Sequence, residues 1–226
     1  MTTIDYAIIR RPRRKTASIV IRPDNRVEVL APSRMPVSLI DAFIRQKRAW
    51  IDKKLHFNRE VRADYVAKTF RAGEQFYLLG ESYTLRLQQG KRAILLHGHE
   101  LLVSHPTPKP ATTKRQISRW YRRQAEAHFS NRALFFASTI GKQPQLIGVK
   151  AYKSRWGSCH HDGRVYLNWR LIMAPAWVVD YVLVHELCHL LHPNHSRAFW
   201  QQVYAVFPDY REAKAWLKIN GLTLSL

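Results

Sequence analysis

The period of the hydrophobic positions changes several times along the chain, and each change marks a new element. Ala17–Arg22 and Arg26–Leu30 are β-branched or alternating runs on either side of Pro23-Asp24-Asn25. They predict a hairpin, because proline and Asp/Asn supply turn geometry. Beyond Met35-Pro36 the period becomes helical as far as about Asn58, with Leu39, Ile40, Phe43, Ile44, Trp50, Ile51 and Leu55 on the apolar side. Phe76–Leu79 and Tyr83–Leu87 bracket Gly80-Glu81-Ser82 and predict a second hairpin, and Ile94–Leu96 with Glu100–Val103 a third around Gly98. His105 to Pro110 holds three prolines in six residues and is the candidate linker.

A long helix is predicted from Thr113 to Ile140, with Gly141 as its cap and Pro144 just beyond. Ile117, Trp120, Tyr121, Phe129, Leu134 and Phe135 are its candidate buried face, and Arg115, Arg119, Arg122 and Arg123 its basic face. Leu146–Tyr152 and Arg164–Arg170 read as strands, with a turn at Asp162-Gly163. Two further helices, Arg197–Val206 and Tyr210–Asn220, close the chain, the second ended by Gly221.

The stretch between these strands and closing helices carries the chemistry. Val178 to Leu191 has no glycine or proline and is apolar on all sides, which predicts a buried helix with Pro175 in its first turn. Within it, His185-Glu186-Leu187-Cys188-His189 fits H-E-x-x-H. Residues four apart lie one turn apart on one face, so the imidazoles of His185 and His189 can converge on one zinc ion. Glu186 lies about 100° round the helix and can take the proton of an attacking water. Two histidines and a carboxylate in such a helix are costly unless they are ligating or paired.

The third ligand follows a forced turn. Pro193 cannot continue the helix, and Asn194 tolerates a left-handed reversal. His195 then stands six residues after His189, where a chain that doubles back can bring it over the ion, and Ser196 can cap the next helix. His192, on the helix end, competes for the role. Three protein ligands leave a fourth position for water, as catalytic zinc requires. Cys188 is read as a small packed hydrophobe, and His160 and His161 as exposed turn residues.

Composition adds partners and compartment. Lys and Arg number 37 against 16 Asp and Glu, a net charge of +21, with the excess concentrated outside residues 73–110. Arg45, Lys47, Arg48, Lys53 and Lys54 on the first helix, and the arginines of the long helix, form faces that a solvated basic surface explains first, and that also suit non-specific, phosphate-directed contact with nucleic acid. Trp120 and Tyr121 fit the buried face of the long helix better than a stacking platform. No apolar run spans a bilayer, so no membrane partner is expected. Two cysteines and no export signal point to the cytoplasm.

Lys153-Ser-Arg-Trp-Gly-Ser-Cys159, Gly163-Arg-Val-Tyr-Leu-Asn168-Trp-Arg, Val184-His-Glu-Leu-Cys-His189 and Asn194-His-Ser-Arg-Ala-Phe-Trp200 together resemble the YgjP-like metallopeptidase family, which is related to the SprT-like and Spartan-type zinc proteases. The resemblance is strongest over residues 150–206. It implies an α+β fold with a zincin-like catalytic region, His185, His189 and His195 as ligands of Zn2+, and Glu186 as the catalytic acid–base group. The expected organisation is a β-rich basic region over residues 1–110, with one helix, and a zincin-like metallopeptidase region over 111–226, the two possibly forming one continuous domain.

The expected function is zinc-dependent hydrolysis of a peptide or protein substrate. A basic nucleic-acid- or protein-binding module with a structural or vestigial zinc site is the alternative. Trp156, Gly157 and Ser158 are candidate substrate-binding residues: Gly157 permits close backbone approach, and a strand edge there can hold an extended peptide. A packing turn with Trp156 in the core explains the same residues. Arg155, Tyr204 and Tyr210 are candidate oxyanion donors.

Overall fold

The computed structural model describes residues 4–22, 25–62 and 67–226. The fold is α+β, and the chain divides into two compact units, Met1–Val66 and Ala67–Leu226.

In the first unit, β1 (Tyr6–Arg11) runs parallel to β3 (Val27–Pro32), and β2 (Ser18–Ile21) pairs with the other edge of β3, antiparallel. The predicted hairpin is present, with Ile19 opposite Val29 and Ile21 opposite Val27. Of its turn, Pro23 and Asp24 lie outside the described residues, while Asn25 is left-handed. The parallel strand β1 was not foreseen. Val27, Val29 and Ala31 alternate inward and meet Ile40, Ile44 and Ile51 in a small core.

The helix expected over 37–58 is two, α1 (Val37–Gln46) and α2 (Arg48–Arg62). The Lys47 amide is shared between the carbonyls of Phe43 and Ile44, which tightens the last turn of α1. Leu39 and Trp50, assigned to the apolar side, are exposed, at 55% and 50%.

The second unit holds two sheets. The first has order β4-β5-β7-β6, from β4 (Gln75–Leu78), β5 (Glu81–Gln89), β6 (Ala93–His97) and β7 (Glu100–His105), with β5 and β7 parallel. Both predicted hairpins are there, although the first turns at Leu79-Gly80, where both residues have positive φ. The second sheet has order β8-β10-β9, from β8 (Leu146–Lys150), β9 (Gly157–Cys159) and β10 (Arg164–Asn168). β9 pairs antiparallel with β10 and is an edge strand. A 3-10 turn (Trp169–Met173) leads to α4 (Ala176–Cys188), α5 (Arg197–Val206) and α6 (Tyr210–Asn220).

The expected boundary at residue 110 is not where the chain divides. Phe76, Leu85, Leu101 and Val103 of the first sheet share one continuous core with Ile117 and Phe129 of the long helix and Val184 and Leu187 of α4. Sheet and helices therefore bury each other's apolar faces. The proline-rich stretch is a short connection inside this unit, and Pro110 itself opens α3 (Pro110–Ile140), where a missing amide costs nothing.

The buried face of α3 is Ile117, Tyr121, Ala125, Phe129, Ala133, Phe136, Ala137 and Ile140. Leu134 and Phe135, expected there, are 67% and 57% exposed. Small alanines occupy the stripe instead, which lets α3 approach its neighbours closely. Gly141 caps the helix in the left-handed conformation, as predicted. Gly221 likewise ends α6, but in the right-handed conformation, and a Cβ there would meet the Trp156 ring at 3.0 Å.

One ion pair ties α3 to α4. Arg132 donates from Nε and Nη2 to the two oxygens of Asp180, at 2.8 and 2.7 Å. Asp180 is 14% exposed and Arg132 34%. Asp180→Ala should therefore cost about 1–3 kcal/mol in urea unfolding, more than an open surface pair. A cost below about 0.5 kcal/mol would place the pair among solvent-screened ones.

Candidate metal centre

α4 is buried on nearly every side: Val178, Val179, Val182, Leu183, Val184, Leu187 and Cys188 are all in the core. A helix end, a turn and a helix start then bring three imidazoles together. His185 stands in the last turn of α4, His189 is its C-cap, and His195 follows the reversal. Ligand-capable atoms of the three lie within 4.8 Å of one another, and Nε2 of His195 is 3.0 Å from Nε2 of His185. The reversal uses no left-handed residue. Asn194, expected to supply one, is not among the described positive-φ residues. Ser196 caps α5 by accepting the Phe199 amide, as predicted.

The donor set suits a divalent ion. Imidazoles bind metals in the neutral form, and burial, helped by His189 and His195, holds the His185 pKa down at about 3. Burial also lowers that of His189. Nδ1 of His189 lies 3.0 Å from the His192 carbonyl. A donated N–H there fixes the tautomer and leaves Nε2 for a ligand bond. His192 thus serves through its backbone, and its ring is not part of the cluster. Phe199 walls the site, stacked on His189 at 4.4 Å and edge-on to His185 and His195 at 4.9 and 4.8 Å. Trp200 stacks on His195 and on Tyr210.

Glu186, 7% exposed, faces the edge strand β9. Burial pushes its pKa up to about 7 against the lowering effects of Arg155 and of a hydrogen bond from the Cys159 amide. Gly157 makes this fit possible: a Cβ there would lie 2.5–2.7 Å from Cγ, Oε1 and Cδ of Glu186. β9 is itself held by Asn168, whose side chain donates to the carbonyls of Tyr152 and Arg155 and whose amide donates to Trp156.

Residues 15–220 match the family model described as YgjP-like, metallopeptidase domain. The chain belongs to the YgjP-like metallopeptidase family. It is therefore a metal-dependent peptidase by family, and its substrates are peptides or proteins. The solved structure of the metallopeptidase zymogen of Pyrococcus abyssi abylysin is similar to part of it, at 22% identity and a TM-score of 0.36, covering 38% of this chain and 89% of that one. No curated protein matches the chain.

Of the other expected residues of this metallopeptidase, Trp156 packs on the core and Ser158 shares a 2.6 Å hydrogen bond with the Tyr152 hydroxyl. Of the oxyanion candidates, Arg155 acts electrostatically on Glu186, Tyr210 joins the Trp200 stack, and Tyr204 is 59% exposed. Cys188 is a packed hydrophobe with no exposed surface. His160 is half-buried, edge-on to Tyr166, and His161 is exposed. No helix of the described residues is long and apolar enough to cross a membrane.

Sequence reasoning missed the His192 carbonyl, the Cys159 amide and the Phe199 wall. The first two are backbone groups, which carry no residue-type signature. Phe199 was visible only as an apolar position four residues after His195.

Gly157→Ala should retain metal and fold but lower turnover by about 10²-fold or more, because the new methyl group displaces the Glu186 carboxylate. Peptidase assay with metal analysis on the same sample checks this. Full activity in that variant would show that Glu186 need not occupy the space beside β9.

Proposed function

We propose that this metallopeptidase is zinc-dependent, with His185, His189 and His195 holding the ion and Glu186 serving as general base. The observation that carries the reading is the convergence of three imidazoles at the end of a helix that also bears a buried carboxyl group with a pKa of about 7. Bound zinc supplies Lewis acidity, which polarises the scissile carbonyl and acidifies water.

The remaining work falls to the chain. Glu186, poised near neutrality, accepts the proton of the attacking water on a carboxylate oxygen and passes it to the leaving amine. The Cys159 amide holds the carboxylate in place. The outer edge of β9 offers the main-chain groups of Gly157 to an extended peptide, while Ser158 pairs with Tyr166 of β10. The two free cysteines, Cys159 and Cys188, fit the reducing cytoplasm.

Glu186→Gln should keep zinc and fold while lowering hydrolysis of an unfolded protein substrate by about 10²–10⁴-fold. His195→Ala should release zinc, and His192→Ala should retain it, because the His192 contribution is a carbonyl. Wild-type turnover in Glu186→Gln would remove the proton-transfer role. A wild-type protein that holds zinc but hydrolyses nothing would favour the binding-module reading, in which the metal is structural.

A further inference from the structure

A second feature of the Ala67–Leu226 unit shares no residue with the histidine cluster. A cleft of about 420 Å³ opens between the N-terminal half of α3 and the turn that joins β5 to β6. Its wall carries Arg92, Arg115, Arg119 and Arg123, and no acidic residue lines it. Arg115, Arg119 and Arg123 recur every fourth position, so they form one row down α3 with about 6 Å between neighbours. Arg92 reaches in from the opposite side and is anchored by donating from Nε to the buried His105 ring at 3.2 Å.

Two further groups in the cleft are not explained by attraction to phosphate alone. Trp120, expected in the core, is only partly buried and lines the recess. Gln116 donates its amide to the carbonyls of Ala93 and Ser104, which orients the group. Its oxygen is buried and has no hydrogen-bond partner among the described residues.

We propose that this cleft binds a segment of single-stranded nucleic acid. The arginine row tracks successive phosphates, and Trp120 offers a face for one unpaired base. A duplex fits poorly, because its bases are already stacked and paired and cannot present a face to Trp120. The volume matches a small-ligand pocket, enough for one nucleotide inside the recess while the strand continues along α3. The site narrows the broad basic-helix expectation to one helix. Arg122, included in that expectation, turns away and packs over the Trp169 ring.

The test is fluorescence anisotropy on the full-length protein. The probe is a labelled oligothymidylate of about 20 nucleotides, read at about 50 and about 200 mM salt, with the matching duplex and inorganic tripolyphosphate as competitors. Wild type should bind the single strand, with affinity falling by about 0.7 log units per phosphate neutralised for each tenfold rise in salt. Arg115→Glu/Arg119→Glu should lose at least about tenfold at low salt. Trp120→Leu should lose about fivefold or more, and Trp120→Phe should recover most of it. Zinc content and near-ultraviolet circular dichroism confirm the fold of each variant, and peptidase activity should be unchanged. Wild-type binding by the double reversal overturns the proposal. So does tighter binding of the duplex, or a Trp120→Leu variant that behaves as wild type and is displaced by tripolyphosphate as readily. Absence of oligonucleotide binding at low salt also overturns it, and retention on phosphatidylserine vesicles would then assign the arginines to lipid.

Discussion

The rest of the catalytic unit depends on one constraint: α4 is buried almost all round yet carries Asp180, His185, Glu186 and His189. A buried polar group without a partner costs several kcal/mol, so each of these demands something of its surroundings. Asp180 takes both hydrogen bonds of the Arg132 fork and so fixes α3 against α4. His189 engages a carbonyl from the very turn that ends its own helix. Glu186 requires an edge strand that comes close enough to give an amide and a glycine that leaves room for the carboxylate. Nδ1 of His185 has no hydrogen-bond partner among the described residues, and its ring is enclosed by Tyr181, Phe199 and Trp200 instead. Site and core are one construction, and neither can be altered without the other feeling it.

That coupling explains what could be read from the sequence. The H-E-x-x-H spacing sets two ligands on one helical face without reference to the rest of the fold. Pro193 forces a reversal whatever surrounds it. Local chemistry of this kind survives tertiary context, and so His185, His189 and His195 were legible together. The hairpins were legible for the same reason, since turn residues and alternation are properties of a few neighbouring positions.

The misreadings share the opposite cause. Which face of α3 is buried is decided by the elements that pack on it, so Leu134 and Phe135 went outward while Ala125 and Ala133 went in. A ranking by hydrophobicity cannot see that close approach favours the smaller side chain. The three prolines from Pro106 to Pro110 look like a domain linker because proline breaks regular structure. Yet β7 ends where they begin, and its Leu101 and Val103 lie in the same core as α4. The division after Val66 has no comparable punctuation. Trp120 packs against the core as its spacing predicts, and the turn bearing Arg92 makes its other side the wall of a cleft.

The strong positive charge and the acid–base chemistry are separable, and magnitudes show why. Exposed charges farther than about 8 Å apart are largely screened at physiological ionic strength. Among the described residues, the charge felt at Glu186 is that of Arg155, which lowers its pKa, and burial outweighs it. A net charge of +21 therefore leaves the carboxyl group near neutrality, because most of that charge is distant and solvated. Salt should then act strongly on any polyanion held along α3, where the arginines are exposed, and weakly on the proton transfer proposed for Glu186, where burial limits screening. A chain can in this way present a highly basic surface and still hold the pKa of a buried carboxyl group at about 7. What protects that group is not distance alone but the apolar packing of α4, the same packing that makes each polar residue on the helix require a partner.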